Sequence, residues 1–418
     1  MVQEKRTCVG LDIGTTKTCC IVCQLADKSY DSKLLGAGVV PSSGVRKGIV
    51  VNIEEAVRSI EKAVEAAEKM ANVKVTRAFV GISGNHIRGI NTQGAIATSK
   101  NGLHLGYEHE ISNPDINRVL EMAKAISLPV DREILHILPQ EYVVDDQDGI
   151  KDPLGMVGRR LEARVHLITG AVSAAKNITK CAEEAGIAVE GLIYHPMAAA
   201  QATLEPHEKE LGVALIDIGG GTTDVSVFLD GAVRHSAVIG LGGNNVTNDI
   251  AMMLKISTGD AEDIKIKYGS AKASMASTDL DFELPHTPTE AVRNVSEHEV
   301  SRYVEARMTE IFQLVKREIS RADVSSPVTF GVVLTGGGAL LKNITSLAEE
   351  AFGGSVKIGI PKGLSGVVDV ASSPVYSAAI GLIQYGTTLA GEFNLGVDHE
   401  PMLNQVAKRV KRWFSEMF

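Results

Sequence analysis

Two short segments, placed half a chain length apart, constrain this sequence more than anything else in it. Thr7-Cys-Val-Gly-Leu-Asp-Ile-Gly-Thr-Thr-Lys-Thr18 and Gly212-Val-Ala-Leu-Ile-Asp-Ile-Gly-Gly-Gly-Thr-Thr-Asp224 share one plan. Each runs from an apolar strand through Asp-Ile-Gly into a turn of small residues, then out along a second β-like run. Asp12 and Asp217 stand at the same phase in the two copies. A third apolar strand, Gly331-Val-Val-Leu-Thr-Gly-Gly-Gly338, ends in a comparable turn and leads toward a helix near 340–352. A unit repeated at half-chain spacing predicts two similar α/β domains facing each other across a cleft. With 418 residues, 44% of them hydrophobic, the chain exceeds what one core supports and can fill two.

Between these strands the apolar period changes to that of a helix. Residues 53–71, 174–185 and 300–319 repeat Ala, Val and Ile at three-to-four spacing, with charged side chains between. Two stretches break the rhythm. Residues 85–164 mix short β-like runs, prolines and a charged loop (Asp145, Asp146, Asp148, Lys151, Asp152) and read as an inserted subdomain. Residues 240–301 read as a second insertion: a helix, a polar stretch at 270–288, then another helix. The domains expected are a first body (1–84, 164–195, 360–390) carrying the insert 85–163, and a second body (196–240, 302–359) carrying 241–301. A linker, 391–400, and a terminal helix, 401–418, follow.

The chemistry of the glycine turns points to phosphate. Turns of this kind leave several backbone N–H groups convergent and unpaired, a nest for anionic oxygens. Glycine allows close approach, and the hydroxyls of Thr15, Thr16, Thr222 and Thr223 add donors. Lys17 adds a cation. Asp12 and Asp217, at strand ends beside the turns, are placed to hold a hydrated Mg²⁺ against the phosphates. One such turn is a weak signal; two in phase and a third beside them are a strong one. Other nucleotide fingerprints are absent: no Gly-Lys dipeptide opens a Walker A loop, and no Gly-x-Gly-x-x-Gly starts a helix.

Composition removes several alternatives. A net charge of −9 and only 4% aromatic residues argue against nucleic-acid binding. Five cysteines, four of them crowded between Cys8 and Cys23, do not form a disulfide scaffold. In Cys20-x-x-Cys23 the odd offset along a strand sends the thiols to opposite faces, so buried, reduced cysteines in a cytosolic chain are expected. The longest uncharged run, 370–391, is too polar to span a membrane, and Ser373-Pro374 reads as the start of a packed helix.

The last residues carry a different signal. Leu403, Val406, Val410, Trp413, Phe414 and Met417 fall on one helical stripe, flanked by Lys408, Arg409, Lys411 and Arg412. A basic amphipathic helix bearing the chain's one tryptophan fits the surface of an anionic membrane.

These residues resemble the actin-like ATPase superfamily, whose fold is a pair of duplicated, ribonuclease-H-like α/β domains. The resemblance implies that 11–18 and 217–224 are phosphate loops and that Gly336, Gly337 and Gly338 form the adenosine loop. It implies that Glu262 and Lys265 clasp ribose and adenine, and that Gly242 and Gly243 pass under the phosphates. ATP and Mg²⁺ are then the cofactors, through Gly14, Thr15, Thr16, Lys17, Gly219, Gly220, Gly221, Thr222 and Thr223. Where ATPases of the superfamily place a water-orienting Glu or Gln, this chain has Tyr194-His195, read as a helix start without a catalytic task. At most a weak ATPase is expected.

Within the superfamily the chain is similar to the FtsA family of bacterial cell-division proteins. Residues 136–142 (His-Ile-Leu-Pro-Gln-Glu-Tyr), 148–153 and 163–169 resemble that family's inserted subdomain. Gln140 and Glu141 in it are expected to be solvated or at an interface. The resemblance implies an adaptor that polymerises with itself, binds the FtsZ C-terminal peptide and anionic lipid, and recruits other septal proteins at the cytoplasmic face of the inner membrane. Arg293, expected on a polar helix of the second insertion, is the candidate for the FtsZ peptide. The alternative from another class is a small-molecule kinase or ATP hydrolase of the same superfamily. Such an enzyme would need a catalytic aspartate in a substrate pocket and would not need the basic tail.

Overall fold

The computed structural model describes residues 7–25, 32–98, 109–285, 292–322, 330–366 and 372–392. The candidate membrane helix, from Leu403 to Phe414 with its four basic side chains, lies outside them.

The repeat read from the sequence extends to whole sheets. In the first half the strand order is Ser32–Pro41, Lys17–Gln24, Thr7–Ile13, Arg77–Ile82, Ala188–Tyr194, with the short Leu364–Ser365 on the outer edge. In the second half it is Ala232–Ile239, Thr223–Leu229, Val213–Ile218, Val332–Thr335, Val356–Ile358. In each, the first three strands run antiparallel as a meander, and the last two lie parallel to the strand bearing the aspartate. Tight turns suffice for the antiparallel part, whereas parallel neighbours need a crossover. The helices Ile53–Ala71 and Glu297–Ser320 lie on those two crossovers.

The helix Ile53–Ala71 has the bounds its periodicity predicts. The Asn52 side chain caps it by accepting from the Glu55 amide, and Asn72 ends it in the left-handed region. Its buried face, Ala56, Ile60, Ala63, Val64 and Ala67, lies so close to the strand Ser32–Pro41 that a methyl added at Gly38 would sit 1.8 Å from the Ala63 carbonyl oxygen. A second close approach forms the centre of the first half. The buried small residues of His195–Thr203 let the helix Ser377–Glu392 press on it, and a methyl at Gly381 would lie 1.8 Å from the Ala198 carbonyl. All five cysteines are buried. Cys20 packs with Leu11 and Val22 on one face of the first sheet, Cys23 with Cys8 and Ile21 on the other, as the three-residue offset requires.

The insert of the first half is a four-stranded sheet in the order Gln147–Ile150, Arg132–Val144, Arg160–Ala171, Arg88–Ala97, with the helix Asn113–Lys124 against it. It leans on the strand Ala232–Ile239 of the second half. His166 Nε2 lies 2.7 Å from Ser236 Oγ, and Gln140 Nε2 donates to the Val233 carbonyl at 2.7 Å. Gln140 is thus buried in a seam within the chain rather than solvated, and Glu141 pairs with Arg164 at 2.6 Å.

The second insertion departs from expectation. It holds two α-helices, Gly243–Leu254 and Thr258–Tyr268, and a hairpin of Asp281–Glu283 with Asn294–Ser296 ahead of the long helix. Three-residue strands give too little alternation to be legible. Arg293 therefore stands on no helix: it precedes the strand Asn294–Ser296, and its guanidinium donates to the Leu254 carbonyl at 2.9 Å. The helix expected near 340–352 is two pieces, a 3-10 turn Gly337–Leu340 and the α-helix Ile344–Phe352, with Asn343 at φ +58° between them. Ser373 caps a 3-10 turn, Pro374–Tyr376, and the following helix runs to Glu392, taking the first two residues assigned to the linker.

Candidate functional site

The two Asp-Ile-Gly turns close identically. Gly14 N–H donates to the Lys17 carbonyl at 2.9 Å, and Gly219 N–H to the Thr222 carbonyl at 2.9 Å. Among the described residues, no hydrogen bond engages the amides of Thr15, Thr16, Gly220 and Gly221. The tips meet across the cleft. A methyl at Gly220 would lie 2.2 Å from Thr16 Cγ2, and one at Gly221 2.6 Å from Thr15 Oγ1. Any side chain at either position would hold the halves apart, so the glycines set the width of the site.

Carboxylates line the floor. Lys17 Nζ donates to Asp12 Oδ2 at 2.6 Å. Burial alone would push the Asp12 carboxyl up, but the Lys17 ammonium and His195 outweigh it and hold it below its usual range. For Asp217, burial and then the charge of Asp12 outweigh the opposing Lys17 and raise it to about 6. Asp224, paired in register with Asp217, is raised to about 7 by burial and by Asp217. Its Oδ1 accepts from Ser83 Oγ at 2.6 Å, a bond joining the two halves.

His195 begins its helix as expected, but its ring enters the cleft, with Nε2 3.3 Å from Asp12 Oδ1 and no aligned hydrogen bond. Burial foremost lowers its pKa, against the pull of Asp12, so a neutral imidazole faces the carboxylate. It can hold a water or an anionic oxygen there.

The remaining expected residues divide into lining and support. Gly14, Thr15, Thr16, Lys17, Gly219, Gly220, Gly221, Thr222, Gly336 and Gly337 line one cavity with Asp12 and Asp217. Gly338 packs on Ile218, and Thr223 Oγ1 is spent on the Leu241 carbonyl, so both back the wall. Gly336, at φ +79°, brings its backbone against Asp217. Gly242 and Gly243 lie beneath the second turn, where Gly243 N–H donates to the Gly219 carbonyl at 2.9 Å and begins the helix Gly243–Leu254. At that end Lys265 Nζ lies 2.6 Å from Glu262 Oε2 and 2.9 Å from Thr247 Oγ1. The sequence reading missed Ser83 and Gly48, and it gave Asp224 only as the end of the second loop. Their signal was the same as that of the aspartates, a strand or tight turn ending in Ser-Gly, Thr-Asp or Lys-Gly.

The donor set fits Mg²⁺. Buried carboxylates that repel one another gain from a dication, and hard oxygen ligands suit it. Among the described residues, no three His, Cys, Asp or Glu side chains form a complete cage. That agrees with a cation that keeps water and takes phosphate as ligands. A second depression, between the insert and the strand Ala232–Ile239, is lined by Glu141, paired with Arg164, by Asp230, paired with Arg234 at 2.6 Å, and by Lys151 and Glu210.

Two sheets that share one five-strand order and meet at paired aspartate hairpins define the class: this is an actin-like ATPase fold. The type IV pilus protein of a PilM–PilN complex superposes with a TM-score of 0.63 at 16% identity, over 91% of this chain and 98% of that one. MreB5 of Spiroplasma citri bound to ADP superposes at 0.57 and 16%, over 94% and 100%. Family models match residues 214–381, "Cell division protein FtsA", and residues 84–169, "SHS2 domain inserted in FTSA". The chain is 41% identical to the cell division protein FtsA of Pseudomonas aeruginosa, over 100% of this chain and 99% of the relative. It is 35% identical to that of Escherichia coli K12, over 99% of each. The chain belongs to the FtsA family of cell-division proteins.

Proposed function

We propose that this chain binds ATP and Mg²⁺ in the cleft, polymerises head to tail, and ties the FtsZ ring to the cytoplasmic face of the inner membrane at the septum. The observation that carries nucleotide binding is the tip-to-tip meeting of two hairpins whose outer amides have no acceptor among the described residues. The amides of Thr15, Thr16, Gly220 and Gly221 take phosphate oxygens, Asp12 and Asp217 hold the hydrated cation, and Lys17 turns from Asp12 to the phosphates. Gly336 and Gly337 receive the adenosine, with Glu262 and Lys265 at its ribose and base. MreB5 of Spiroplasma citri, of the same fold, is described bound to ADP and to AMPPNP. Hydrolysis is weak, because the side chain standing where related ATPases place a water-orienting Glu or Gln is the neutral imidazole of His195, 3.3 Å from Asp12.

The basic stripe from Leu403 to Met417 attaches the chain to anionic lipid. Each basic side chain contributes about 1 kcal/mol near such a surface, and the apolar stripe adds more. Part of this is spent on folding the helix, so one tail binds reversibly and a filament of many tails binds far more tightly. Arg293, exposed ahead of the short hairpin strand, is offered to the acidic FtsZ peptide, and the inserted subdomain to other septal proteins.

Co-sedimentation with anionic vesicles tests this reading. The intact chain with ATP should pellet, and removal of residues 401–418 or of ATP should reduce the pellet several-fold. If chains that cannot polymerise pellet as well as filaments do, polymerisation is not the attachment switch.

A further inference from the structure

The strap Gly44–Gly48 of the first half crosses the mouth of the cleft, and it carries a cation that no other described group engages. Gly44, Lys47 and Gly48 all have positive φ, at +74°, +50° and +74°. For a lysine the left-handed conformation costs about 1 kcal/mol, so the strap holds Lys47 there against its intrinsic preference. Gly48 N–H donates to Thr15 Oγ1 at 3.1 Å, which ties the strap to the first turn. On the other side a methyl at Gly221 would lie 3.1 Å from Lys47 Cα, and one at Gly240 3.8 Å from Lys47 Nζ. Lys47 thus belongs to one half and lies against the turn of the other. It is partly buried, and among the described residues no carboxylate or carbonyl engages its ammonium.

The position along the cleft is fixed by neighbours. Lys265 Nζ lies 3.6 Å from where a methyl at Gly243 would stand, and that methyl would be 4.0 Å from Gly220 Cα. Gly221 and Lys47 follow beyond Gly220. A nucleotide whose base lies at Glu262 and Lys265 therefore directs its terminal phosphate toward Lys47.

We infer that Lys47 is a phosphate-binding residue that recognises the terminal phosphate of a nucleoside triphosphate and draws the first-half strap onto the second-half turn. The inference rests on the reading of the cleft as a nucleotide site, and it adds discrimination between triphosphate and diphosphate. A diphosphate leaves Lys47 in solvent, so the contact appears in one complex and not the other.

Titration of the full chain with Mg·ATP and Mg·ADP by calorimetry tests it. Lys47→Gln should weaken ATP about tenfold, the loss of one ionic hydrogen-bond partner, and leave ADP within about twofold. Lys47→Gly, which suits positive φ, should fold at least as well and show the same selective loss, and Lys47→Arg should retain most of the preference for ATP. Unchanged ATP affinity in Lys47→Gln overturns the assignment while leaving the cleft a nucleotide site. Equal loss of ATP and ADP also overturns it, by making the strap a structural closure. If the native chain binds neither nucleotide, the reading of the cleft itself falls.

Discussion

His166 shows how one side chain fixes its own protonation state. Its ring is 1% exposed, with Nδ1 2.6 Å from Asn91 Oδ1 and Nε2 2.7 Å from Ser236 Oγ. Asn91 Nδ2 donates to the Arg234 carbonyl, so its Oδ1 accepts; Nδ1 carries the proton and Nε2 accepts from Ser236. Burial, with His235 adding, lowers the pKa to about 4 from the ordinary 6.5. A lowered histidine contributes stability that is present above 6.5 and is lost as pH falls toward 4, since the unfolded chain takes the proton first. In denaturant melts at pH 7 and pH 4.5, His166→Gln should lose about 2 kcal/mol less than the native chain. An identical acid sensitivity in the two would remove His166 from the seam. Nothing in the run Ala163 to Thr169 foretold this, because the partners Asn91 and Ser236 come from distant strands.

At the scale of elements, sequence sufficed where periodicity was long and failed where geometry was cross-chain. The helix Ile53–Ala71 was legible at both ends, since nineteen residues of period 3.6 and an asparagine at each boundary leave little freedom. The hairpin Asp281–Glu283 with Asn294–Ser296 was not, and Arg293 was misplaced with it. Glycines divide the same way. Gly38 exists for the helix crossing above it, whereas Gly149 has φ +71° with open space around it. Gly38→Ala should therefore cost about 3 kcal/mol through overpacking, and Gly149→Ala about 1 kcal/mol through backbone strain alone. Urea unfolding of the two variants reads the difference, and equal costs would mean the helix yields freely.

For the whole molecule, the side-chain bonds that join the two halves include Ser83 to Asp224 at the cleft and His166 to Ser236 and Gln140 to Val233 at the seam. Ligand between them should then stabilise the pair. At about a hundred times Kd, Mg·ATP should stabilise the chain by about 2.7 kcal/mol. Chelating Mg²⁺, or Asp12→Ala or Asp217→Ala, should remove most of the accompanying rise in Tm, although the two aspartates come from opposite halves. A rise that survives either substitution would place the cation elsewhere.

The chain alone determined that two related α/β halves exist and which turns carry the aspartates, because local patterning and repetition are written in contiguous residues. It also marked the basic stripe from Leu403 to Met417. Only the tertiary structure decided that the turns meet tip to tip, that His195 enters the cleft, that Ser83, Asp224 and Gly48 line it, and that Lys47 lies against the second turn. Those facts depend on how two independently specified sheets face each other, and the angle between them is set by packing at Gly220, Gly221 and the seam at Gly89, where a methyl would lie 2.4 Å from Ser236 Oγ. Contacts between residues so far apart in the chain leave no periodic trace in it.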